Sequence, residues 1–247
     1  HNPTIKYIDN KYVLSFIVNQ NNDLSTQRII MYVADELNDE WMPAEGGESD
    51  GTILRVPQDS TIWNYNAQFG VSNPTLLKHN GLYFLYFKSV IRHPQKLKEN
   101  RGLDYGYGLA VSKKLEGPYE YYPKRVTEEG IQLEDAYIFN YGESLYLLSR
   151  DYMGSKGSKG GGLLWMTKNP NFFKKSNIIR AYESLSVYVD NINEEKTAIF
   201  RGDIKGNLER PQLLIKEGEP IYMYVSTGIN SIDGFGSASH VFKVNIH

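Results

Sequence analysis

Residues 73–87, "NPTLLKHNGLYFLYF", decide the fold. A short run from Thr75 to Leu77 leads through a polar turn at Asn80-Gly81 into a second run of Leu, Tyr and Phe. Asn-Gly between two apolar runs is a strong hairpin signal, because both residues accept the left-handed backbone of a two-residue turn. The Asn-Pro at the start suits the first residue of a strand, where proline costs no ladder hydrogen bond.

Working outward, the pattern recurs as "NPTIKYIDNKYVLSF" from Asn2, "DAYIFNYGESLYLLS" from Asp135 and "RPQLLIKEGEPIYMYVS" from Arg210. The four starts lie 71, 62 and 75 residues apart, a self-similarity that marks repeated supersecondary units. A further strand follows each of the first three hairpins, at "RIIMYVADELNDEW" from Arg28, "GYGLAVSKKLEGPY" from Gly106 and "GGLLWMTKNPNFF" from Gly161. Fourth strands are expected at "TILRV" from Thr52 and "YEYYPKRV" from Tyr119. Three to four antiparallel strands per repeat, with no convincing amphipathic helix, predict an all-β chain folded as a β-propeller. A β-sandwich is the competing architecture, but it does not predict such regular long-range repetition. The last run, "ASHVFKVNI" from Ala238, is expected to close the ring, and the glycine-rich stretches from Gly154 and Gly228 to be loops within a single domain over residues 1–247.

Composition narrows the partners. A net charge of −2 gives no reason to expect a nucleic-acid or anionic-membrane surface, and the basic run "HPQKLKENR" from His93 reads as a solvated loop. With no cysteine there is neither a disulfide framework nor a thiolate metal site. No apolar run reaches the length of a membrane span, and no signal peptide is visible. A mature secreted or periplasmic chain fits that observation and is the expected location. The histidines lack zinc-ligand spacing and no phosphate-binding glycine loop is present, so no metal and no cofactor are expected. The number of subunits is not readable. Nineteen tyrosines against ten phenylalanines suit half-buried strands, and they also suit sugar sites, where rings stack on C–H faces.

In a propeller the first strand of each blade lines the central channel, so the hairpin starts converge at one mouth. Their polar residue changes from repeat to repeat, in the succession "HNP", "SNP", "EDA" and "ERP". This succession, each member followed by a Tyr-rich hairpin, together with the Ala-x-Ser strand and Gly-Pro turn of "GLAVSKKLEGPY", resembles the five-bladed propeller glycosidases related to families 43 and 117. The resemblance covers essentially the whole chain. In those families another blade precedes the "HNP" position, so the resemblance implies a short or truncated form with four blades visible here.

What the resemblance implies for the site is a glycoside hydrolase acting on an oligosaccharide or polysaccharide, with an inverting mechanism built on a base, a tuning carboxylate and an acid. Glu209 matches the acid and Asp135 the tuning aspartate. Asn2 stands where the base is expected, and an amide cannot take a proton from water. Glu134 is a further candidate, although strict strand alternation would turn it away from Asp135. His1, Asn2, Asn73 and Arg210 belong to the repeated starts and are candidate substrate contacts. Lys88, Arg150 and Asp151 are added as charges ending apolar strands, and Trp63 as a stacking platform, although core packing explains it as well. Two alternatives stay open. A family 130-like phosphorylase would use phosphate as nucleophile and need no base, and a non-catalytic carbohydrate-binding propeller would need neither.

Overall fold

The computed structural model describes residues 1–93, 102–156, 159–188, 207–227 and 238–245. It divides into two compact units, His1–Gly130 and Ile131–His247.

In the first unit, β1 (Thr4–Ile8), β2 (Lys11–Gln20), β3 (Asp23–Ala34) and β4 (Met42–Pro43) follow one another as an antiparallel meander, and β5 (Thr52–Leu54) also pairs with β3. The second sheet repeats the plan with β6 (Phe69–His79), β7 (Leu82–Arg92), β8 (Leu103–Ser112) and β9 (Glu120–Tyr121). Turn chemistry sets the register. Asp9 and Asn10 hold φ of 52° and 60° between β1 and β2, and Asn80 and Gly81 hold 49° and 77° between β6 and β7. Both central residues left-handed is the turn whose twist matches that of the strands it joins. Alternation then turns Val13, Ile17, Ile29 and Met31 of the first sheet into a core shared with Val71, Leu76, Leu85 and Phe87 of the second. Burying each such side chain contributes about 1.5–3 kcal/mol.

In the second unit, β10 (Leu133–Tyr141), β11 (Ser144–Asp151), β12 (Gly162–Thr167) and β13 (Ile178–Tyr182) form one meander, and β14 (Leu208–Lys216), β15 (Glu219–Thr227) and β16 (Ser239–Lys243) another. Tyr137, Phe139 and Leu148 of the former pack with Leu208, Met223 and Val225 of the latter, beside Tyr182 and Leu185. The four hairpins lie where the repeats place them. Two features differ from the sequence reading. The run from Ala238 does not stand apart to close a ring: β16 pairs with β15 in the register Tyr224↔Val241 and is the third strand of its own sheet. Strand β13 had no distinct sequence signal, because its five residues are mostly exposed and lack a clear apolar alternation. The glycine-rich stretch from Gly228 to Ser237 lies outside the described residues. Among the described residues no helix is long and apolar enough to cross a membrane.

Candidate active site

One backbone feature is common to all four repeats. Asn2, Asn73, Asp135 and Arg210 have φ of 54°, 48°, 56° and 54°, the left-handed region that residues with a Cβ adopt rarely. In three of the sheets a register shift spans the same point, between Ser72 and Thr75, between Glu134 and Tyr137, and between Glu209 and Gln212. In these three sheets the first strand therefore bulges near its polar residue, and a bulge re-aims side chains that strict alternation would send to opposite faces. That resolves the difficulty over Glu134 and Asp135: both face arginines.

The second unit gathers the charged candidates. Glu134 pairs with Arg150 across the β10–β11 ladder. The Arg150 Nη1 donates to Glu134 Oε2 at 3.3 Å and lies 2.7 Å from Glu209 Oε1. Arg150 and Glu209 are each only 3% exposed. The Arg150 guanidinium also lies over the Tyr152 ring, 5.1 Å from its centroid. From the other side Arg210, whose side chain is 39% exposed, brings its Nε to 3.9 Å from Asp135 Oδ1. Three carboxyl groups and two guanidinium groups thus meet at the bulges of β10 and β14.

Tyr182 closes this cluster from β13 and is a member that the sequence reading missed. Its hydroxyl donates to the Leu208 carbonyl at 3.4 Å. Burial, and then the negative charge of Asp135, push its phenol well above the ordinary tyrosine range; Arg150 opposes and Glu209 adds to the effect. The ring comes so close to the β12 backbone that a Cβ on Gly162 would lie 2.0 Å from Tyr182 Cε1. Only glycine admits that approach. In the sequence, the run of glycines before Leu163 was the available signal, and it read simply as a loop.

Several candidates take other roles. Asp151 is buried, and its two carboxylate oxygens accept the amides of Ser155 and Lys156 at 2.8 and 3.0 Å, contacts that anchor the start of the glycine-rich loop. Glu134 is not an inverting base. Its oxygen and that of Glu209 touch the same Arg150 nitrogen, and a guanidinium, not a water, fills the gap between them. An inverting pair keeps about 6.5–9.5 Å between its carboxyl groups so that a water fits. Arg150 is buried and bridges Glu134 and Glu209.

In the first unit, Trp63 packs against the core, with its Nε1 2.8 Å from where a Cβ on Gly108 would stand and the Arg125 guanidinium 5.9 Å from its ring centroid. It is a packing residue, not an open platform. Lys88 pairs with Ser72, next to the Asn73 bulge, and its Nζ lies 5.6 Å from the Tyr105 ring centroid. The His1 ammonium donates to the Ile17 carbonyl at 2.6 Å, while Asn2 keeps a buried Oδ1 without a hydrogen-bond partner among the described residues. One grouping had no sequence signal. Ligand atoms of His93, Asp104 and Glu129 lie within 4.8 Å of one another, although Arg125 already binds Asp104.

No protein-family model matches the chain, and no curated protein matches it significantly. Solved structures do. The endo-arabinase of Bacteroides thetaiotaomicron superposes with a TM-score of 0.61 at 18% identity, over 97% of this chain and 73% of its own. The GH43_1 enzyme of Xanthomonas citri, solved with xylotriose, gives 0.60 at 14% identity, over 91% of this chain and 64% of its own. A family 117 glycoside hydrolase of the marine bacterium Zobellia galactanivorans gives 0.57 at 14% identity, over 97% and 58%. The chain has the fold of the family 43 and family 117 glycoside hydrolases. It is an all-β propeller, as the repeats predict. At these identities the likeness is one of fold, and the chain spans less than two thirds of the length of the latter two.

Proposed function

We propose that this propeller cleaves glycosidic bonds in an oligosaccharide or polysaccharide, with Glu209 as the proton donor and Asp135 as the carboxylate that tunes and orients. The observation that carries the reading is the meeting of Glu209, Glu134 and Asp135 with Arg150 and Arg210 at the bulges of two neighbouring innermost strands. The fold is shared with an endo-arabinase and with an enzyme solved with xylotriose, which makes plant or algal polysaccharide the substrate class to test first. A secreted or periplasmic location belongs to the same reading.

Cleavage requires the leaving oxygen to gain a proton as the bond to the anomeric carbon breaks, and a nucleophile to arrive at that carbon. Glu209 supplies the first. Asn2, just before β1, holds the equivalent left-handed position with an amide that cannot activate water. For hydrolysis, the base therefore comes from a residue other than Asn2 and Glu134. That same amide favours a second reading, phosphorolysis, in which phosphate attacks without a base. Arg150 is already engaged by two carboxylates, which weakens this alternative, since it leaves Arg210 as the more accessible cation of the cluster.

A screen of plant and algal glycans, with and without inorganic phosphate, separates the readings. Reducing sugar of inverted configuration without phosphate supports hydrolysis, and a glycosyl phosphate formed only when phosphate is added supports phosphorolysis. Tight glycan binding with no product under either condition would leave a carbohydrate-binding propeller.

A further inference from the structure

Arg150 is built into the site in a way that stability alone does not explain. Its guanidinium is buried and bridges Glu134 and Glu209, yet its Nε has no hydrogen-bond partner among the described residues. Buried ion pairs are weak contributors to net stability, because desolvation offsets their attraction, and an unpaired buried donor adds to the cost. A feature kept against that cost calls for another role.

The geometry supplies one. Glutamate has three rotatable side-chain bonds, while proton donation needs its oxygen within hydrogen-bond reach of the leaving oxygen. Arg150 Nη1 lies 2.7 Å from Glu209 Oε1. The arginine is itself fixed, by Glu134 on one side and by the Tyr152 ring on the other. Resting on the reading of Glu209 as proton donor, we propose that Arg150 is the positioning residue of that acid: it holds Oε1 so that Oε2 carries the proton and meets the leaving oxygen. Lysine does not replace it, because a compact ammonium has no planar face to rest on the Tyr152 ring while one nitrogen meets both carboxylates.

The test uses the native glycan found in the screen together with an aryl glycoside of the same sugar, whose nitrophenolate leaves without needing a proton. Arg150→Lys is expected to lower kcat on the glycan about 100-fold, the scale of a misplaced catalytic group, with KM little changed. On the aryl glycoside it is expected to lose little. Adding Arg150→Lys to Glu209→Gln is expected to cause no further loss on the glycan, because Arg150 acts through Glu209. Glu134→Gln, which loosens the other end of the clamp, is expected to show the same dependence on the leaving group at smaller amplitude, and it serves if Arg150→Lys does not fold. Equal losses on both substrates, or fully additive losses in the double variant, overturn the role while leaving the reading of the site intact. Absence of turnover by the wild-type chain on every glycan overturns that reading and the role with it.

Discussion

Asp135 and Arg210 stand at the same point of two successive sheets, both with left-handed backbone, and Arg210 Nε lies 3.9 Å from Asp135 Oδ1. What the repeats preserve is therefore a backbone conformation at the start of each innermost strand. What they vary is the side chain placed on it: amide, amide, carboxylate and guanidinium at Asn2, Asn73, Asp135 and Arg210. A left-handed residue with a Cβ costs roughly 1–2 kcal/mol, less for Asn and Asp, so of these four positions Arg210 is the most strained. Strain of this kind, repeated and adjoining a charged cluster, is where function is sought first.

Gly162→Ala tests the packing that backs the cluster. The added methyl would meet the Tyr182 ring at 2.0–2.5 Å, and that ring is buried beside Leu208. Overpacking of this severity costs about 1–3 kcal/mol. The melting temperature is expected to fall by several degrees. An unchanged melting temperature would show that Tyr182 does not hold this position.

The fold was legible because turn chemistry and alternation are local. Asn80-Gly81 and Glu217-Gly218 name their own turns, and strands such as β2 carry their buried face in every second residue. The site was less legible. Glu209, Asp135 and Glu134 could be picked out by their places in the repeats, but the partner that joins two of them, Arg150, is brought in by the ladder register of a different strand. Asp151, adjacent in sequence, faces the loop amides instead, and no sequence pattern distinguishes these two neighbouring charges. Likewise Trp63 reads equally well as platform or packing until Gly108 is seen beneath it.

Asp151→Asn separates an anchoring role from a catalytic one. The carboxylate accepts two amides, from Ser155 and Lys156, and an asparagine side chain can accept with only one of its two polar atoms. Hydrogen exchange at Ser155 and Lys156 is expected to quicken, with turnover reduced much less than by loss of Glu209. Abolished turnover with unchanged exchange would instead make Asp151 part of the chemistry.

Alkaline pH should unfold the protein through its tyrosines. Burial pushes the phenols of Tyr86, Tyr119, Tyr121 and Tyr182 well up, and that of Tyr137 to about 12. In the unfolded chain these groups release their protons near the ordinary value of about 10. Above that pH the unfolded state binds fewer protons than the native state, so stability that is full below about pH 10 is lost as pH rises. Absorbance at 295 nm is expected to show only part of the 19 tyrosines ionising while the fold persists, and the rest ionising with unfolding. Reversible ionisation of all of them near pH 10 in the folded protein would contradict the burial described.

The most direct test of the central claim is the turnover of Glu209→Gln on a glycan that the wild-type chain cleaves. The amide is nearly isosteric and leaves Arg150 its contact with Glu134, so the far-ultraviolet spectrum and cooperative melting are expected to persist. Without a proton to donate, the rate is expected to fall roughly 10²–10⁴-fold. A folded Glu209→Gln variant that cleaves the same glycan at the parental rate would show that Glu209 is not the acid and that the chemistry lies elsewhere.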